Sequence, residues 1–167
     1  MSRLAALLIV VAFPAVGQDR ASVLVTVDAP LDKGAVARLS ESEILIGQYA
    51  GDGTYLGSIP LDADASALME ASGVQAIEPV SVDFKTQLLP EGAKSGPATI
   101  TVMITPAVGQ DEASFEAALR EMSLDIVDAN EEDGWVVSAP AEDIARLAER
   151  PFVESLQLVD EAPLLKR

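Results

Sequence analysis

Apolar residues alternate singly along some stretches of this chain and recur at helical spacing along others. Residues 99–105 alternate polar and apolar, the signature of a strand with one wet face. Residues 124–127 and 135–139 read as two further strands joined by a polar hairpin over 128–134, and 152–159 reads as a fourth. Asp111 is placed to cap a helix carrying Phe115, Leu119 and Met122 on one side. Pro140 suits a first helical position, Glu142 and Asp143 favour the first turn, and Ile144, Leu147 and Ala148 turn inward.

The same order occurs earlier. Strands are expected over 23–27, 44–48, 54–59 and 74–80, with helices near 34–40 and 62–72. Residues 21–90 and 98–167 therefore form an internal repeat. Val23, Val25 and Val27 match Ile100, Val102 and Ile104; Ile44 and Ile46 match Leu124 and Ile126. Tyr55 matches Trp135, Pro60 matches Pro140, and Leu68, Val74 and Ile77 match Leu147, Val153 and Leu156. The expected fold class is α+β: two tandem ferredoxin-like βαββαβ domains. In each, two helices cover one face of a four-stranded antiparallel sheet and the other face is open. The first domain takes 21–87 and the second 98–167. Between them, 88–97 holds two prolines, two glycines and a serine and reads as a linker open to proteolysis.

Composition narrows the chemistry. Aromatic residues are 4%, so both cores are built from Val, Leu, Ile and Ala. Histidine and cysteine are absent. That removes Ser-His-Asp and Cys-His catalysis, His/Cys metal sites and disulfides. No Ser-x-x-Lys pair and no glycine-rich phosphate loop occurs, and no enzyme activity or cofactor is expected. Asp125, Asp128, Asn130, Glu131, Glu132 and Asp133 faintly resemble a calcium loop. Asp133 stands where that loop needs glycine and Ala139 where it needs glutamate, so a solvated hairpin is the expectation and no metal is assigned.

The formal net charge is −16. Nucleic acid and anionic membrane would both repel it, whereas a basic protein would not; solubility or salt adaptation explains the charge equally well. At the start, Arg3 precedes an apolar run over 4–13, and Ala15-Val16-Gly17 supplies small residues before Gln18. Residues 1–17 read as a cleaved signal peptide, in preference to a retained anchor or buried strand, and imply a secreted or periplasmic protein.

Several segments carry a family likeness. "VLVTVDAPL", "IGQYAGDGTYLGSIP" and "LMEASGVQAIEPVSVDFK" resemble the first of two propeptide repeats in bacterial subtilisin-like proteases of the fervidolysin type. "ITVMITPAVGQDEASFEAALREMSLDIVDA", "GWVVSAP" and "IARLAERPFVESLQL" resemble the second. The resemblance implies a protein that templates or blocks a subtilase, as a free-standing inhibitor or as a propeptide whose enzyme is encoded separately. It also implies that Pro163, Leu164, Leu165, Lys166 and Arg167 lie extended in the protease cleft, with main-chain hydrogen bonds supplying affinity. On the open sheet face, Thr99, Thr101 and Met103 are small or adaptable enough to receive two partner helices. A solvated face and a frayed tail are the bland alternatives. A secreted interaction module for some other protein is the runner-up function. The free chain is expected to be a monomer.

Overall fold

The computed structural model describes residues 19–93, 98–130 and 134–159. The signal-like segment 1–17, the linker residues 94–97, the hairpin residues 131–133 and the tail 163–167 lie outside them.

The first unit runs β1 (Arg20–Thr26), α1 (Lys33–Glu41), β2 (Leu45–Gly51), β3 (Thr54–Pro60), α2 (Ala65–Ser72) and β4 (Ala76–Pro79). A short helix α3 (Val82–Lys85) and a 3-10 turn (Glu91–Ala93) follow. The second unit runs β5 (Thr99–Pro106), α4 (Glu112–Glu121), β6 (Asp125–Asn130), β7 (Gly134–Pro140), α5 (Ala141–Ala148) and β8 (Val153–Leu158). The sheets are ordered β2-β3-β1-β4 and β6-β7-β5-β8, and every pairing within them is antiparallel. The fold is thus α+β, with two tandem ferredoxin-like βαββαβ units.

Local chemistry sets the helix starts. Asp32, Asp64, Ser81 and Asp111 each accept a hydrogen bond from a first-turn backbone N–H, satisfying donors that a helix leaves unpaired. Pro140 ends β7 and caps α5, one residue before the helical position expected for it. Helix α2 stops at Gly73, whose φ of 73° is left-handed.

Alternation divides each strand between two layers. In the first unit Val23, Val25, Ile59 and Ile77 meet Leu39, Ile44 and Val74 beneath the helices. In the second, Val102, Ile104, Val137, Leu147 and Leu156 surround Phe115 and Leu119. Phe115 packs against Trp135 and Phe152 with ring centroids 5.6 Å from each. Three of the chain's seven aromatic residues therefore gather in the second core.

The register corrects the repeat alignment in its first strand. Val25 lies opposite Tyr55 and Ile77, and Ile104 lies opposite Trp135 and Leu156. Val25 is thus the counterpart of Ile104, not of Val102. A period-two pattern looks the same after a slip of two residues, so alternation alone could not choose.

The stretch read as a linker is tied to the second unit over its described part. Leu89 is buried in the second core, and Leu88 forms a parallel bridge with Gln157 of β8.

The two units also pack against each other. The Ser22 backbone N–H donates to the Pro151 carbonyl at 2.7 Å, and the Arg20 backbone N–H donates to Gln110 Oε1 at 2.8 Å. Ser58 Oγ donates to the Val108 carbonyl. The 107–110 and 150–152 loops of the second unit thus cover part of the first sheet's helix-free face. The expectation that this face is open fails for the first unit, because the Ser22 and Arg20 main-chain N–H groups and the Ser58 hydroxyl find their partners on the second.

Candidate functional site

Register and alternation define the helix-free face of the second sheet. Thr99, Thr101 and Met103 lie in line along β5, as expected. Thr101 is opposite Ser138 of β7, and Met103 is opposite Val136. Ser138 is opposite Asp125 of β6, and Val136 opposite Asp128. On the other side Met103 faces Gln157 of β8, and Gln157 bridges to Leu88. One row therefore crosses the sheet as Asp128, Val136, Met103, Gln157 and Leu88. A second row runs Asp125, Ser138, Thr101.

The character of this surface follows from those residues. Its middle is small or apolar and uncharged, with Thr101, Met103, Val136 and Ser138 half-buried. Its rim holds two aspartates on β6 and an exposed leucine, Leu88, 56% accessible. An apolar centre with a polar or charged rim is the usual anatomy of a protein-binding patch. Val136 and Ser138 were legible from the alternation in β7. Leu88 was not, because its place rests on a bridge to a residue almost seventy positions away. The remaining site residues, Pro163, Leu164, Leu165, Lys166 and Arg167, lie outside the described residues.

The same face of the first sheet is built differently. Ser58, at the position of Ser138, is fully buried, and so is Ser22, at the position of Thr101. Arg20 lies across them. Its guanidinium donates to Ser58 Oγ at 2.7 Å, to the Ser58 carbonyl at 3.1 Å and to the Glu43 carbonyl at 2.6 Å. Burial lowers the Arg20 pKa, and the nearby Glu43 charge opposes that shift. Ser22 Oγ is buried without a hydrogen-bond partner.

At the junction of the units, Lys85 is 3% exposed and donates from Nζ to the Arg150 carbonyl at 2.6 Å. Desolvation lowers its pKa to about 8. It lines a cavity of about 320 Å³ with Ser22, Ile59, Ile77 and Pro151. A larger cavity of about 560 Å³ lies at the far end of the first sheet, between Asp28, Asp52 and the edge-to-face pair Tyr49 and Tyr55. Among the described residues, no cluster of three acidic side chains is arranged to hold a metal ion. No family model, no curated protein and no solved structure matches this chain.

Proposed function

We propose that this chain is a secreted, non-enzymatic protein that binds a subtilisin-like serine protease and inhibits it or assists its folding. The observation that carries the reading is the free face of the second sheet. Thr99, Thr101 and Met103, joined by Val136 and Ser138, offer a flat, uncharged surface that partner helices can approach closely. The surrounding acidity favours a basic partner or the positive N-terminal ends of its helices. The resemblance of both repeats to subtilase propeptides names the partner class. In this reading Pro163, Leu164, Leu165, Lys166 and Arg167 form the second part of the contact, extended in the cleft, with Arg167 or a neighbour in the primary pocket.

Two linked contacts reinforce each other, because docking the sheet raises the local concentration of the tail. Full-length protein and a form lacking residues 162–167 are titrated against several purified subtilases. The full-length form should inhibit at micromolar concentration or below, and the deletion should weaken inhibition by at least about tenfold. No inhibition by the full-length form would remove the reading. Inhibition unaffected by the deletion would remove the tail's role alone.

A further inference from the structure

We infer that only one of the two copies docks a partner: the second sheet engages a single protease, and the first copy is a brace whose own docking face is already occupied by the second. The inference rests on the function proposed above and says which surface performs it.

The two faces occupy equivalent places in the repeat. Ser22 and Ser58 are paired on β1 and β3, and Thr101 and Ser138 are paired on β5 and β7. Leu24 and Leu56 correspond in the same way to Met103 and Val136. Their surroundings differ. Ser22 is 2% and Ser58 0% exposed, whereas Thr101 and Ser138 are partly accessible.

The cover on the first face is the second unit together with the Arg20 side chain of β1. Ser58 Oγ is bonded to the Val108 carbonyl and the Ser22 N–H to the Pro151 carbonyl. At Gly109, a side-chain carbon would collide with Leu45 Cδ1, so the loop lies directly on β2. A protease could reach Ser22 and Ser58 only by breaking these bonds and leaving buried polar groups unpaired. What remains free is a partial face ending at the carboxylate of Glu78, which is exposed beside Leu24.

The covered face also shows what such a surface accepts. It receives protein loops through their backbone carbonyls, using the Ser58 hydroxyl and the Ser22 main-chain N–H as donors. Ser138 and Thr101 place hydroxyls at the same two positions on the second sheet, where both residues are partly accessible.

The chain contains no cysteine, so single thiols report each face cleanly. In the free protein, Ser138→Cys should react with an aromatic disulfide reagent at least about tenfold faster than Ser58→Cys, since a buried thiol reacts only through local opening. Saturating subtilase should slow the reaction of Ser138→Cys and leave Ser58→Cys unchanged. The inhibition titration should end at one protease per chain. Should Ser58→Cys fail to fold, the pair Ser22→Cys and Thr101→Cys asks the same question.

Equal labelling of the two faces in the free protein overturns the inference, whatever is inhibited. Protection of the first face by protease, or an endpoint of two proteases per chain, overturns it while leaving the proposed function standing. A subtilase panel that is neither inhibited nor able to protect either thiol removes the function and this inference together.

Discussion

Ser58 links three parts of the molecule through one hydroxyl: it accepts from the Arg20 guanidinium, donates to Val108 of the other unit, and sits on β3. Ser58→Ala removes a donor and an acceptor at once, in a place water does not reach. The loss should be about 1–3 kcal/mol in urea unfolding, the range for a buried polar group left unpaired. Ser138→Ala, at the equivalent but accessible position, should stay within about 0.5 kcal/mol of the parent. Lys85 supplies a second test. Below pH 8 its amine is charged in both the folded and unfolded states, and the burial penalty is fully present. From about pH 8 up to its ordinary value of 10.5 the folded state has shed the proton while the unfolded state keeps it. Stability of the parent relative to Lys85→Met should therefore rise across that window. A flat difference between the two pH profiles would show that Lys85 keeps an ordinary pKa. Neither residue announced itself in the sequence. A lone serine in a strand and a lysine after a phenylalanine carry no pattern, and their roles come from loops fifty or more positions away.

Helices α2 and α5 occupy matching places in the two units but are held unequally. Helix α5 buries Ala141, Ile144, Leu147 and Ala148, whereas α2 has no fully buried residue. Amide exchange should therefore be faster in α2 than in α5, and Leu147→Ala should cost about 2–5 kcal/mol. Comparable protection in both helices would contradict this. At this scale the sequence was most readable. All eight strands and the four long helices lie within three residues of where alternation and helical spacing place them, because each packs one side against a core, with only partly buried side chains in β2 and α2. Helix α3 was missed, since four residues cannot display a helical period, and Ser81 and Asp83 alone mark its start. The adjacent leucines at 88 and 89 looked like linker because prolines and glycines follow them. A bridge to β8 turns them to opposite faces, one outward and one into a core.

For the molecule as a whole, the contact between units was invisible to hydrophobic pattern. It is made largely by backbone carbonyls, Arg20, Ser58, Gln110 and Lys85, which read as ordinary surface residues. Pattern could find two domains but not that one covers the other. No helix among the described residues is long and apolar enough to cross a membrane.

Leu89 gives the repeat an asymmetric border. By sequence the second copy begins at Ala98, yet one of its core side chains is supplied from upstream, beyond the proline-rich stretch. A fragment cut at the apparent boundary would leave a hole beneath the sheet where Leu89 belongs, and it should be less stable than a fragment starting at Ser81 by about 2–5 kcal/mol. Thermal melts of the two fragments would measure the difference. The copies are thus not interchangeable cassettes: excision, swapping or fusion at the visible seam would tear out part of the neighbour, and the cleaner joint lies ahead of α3.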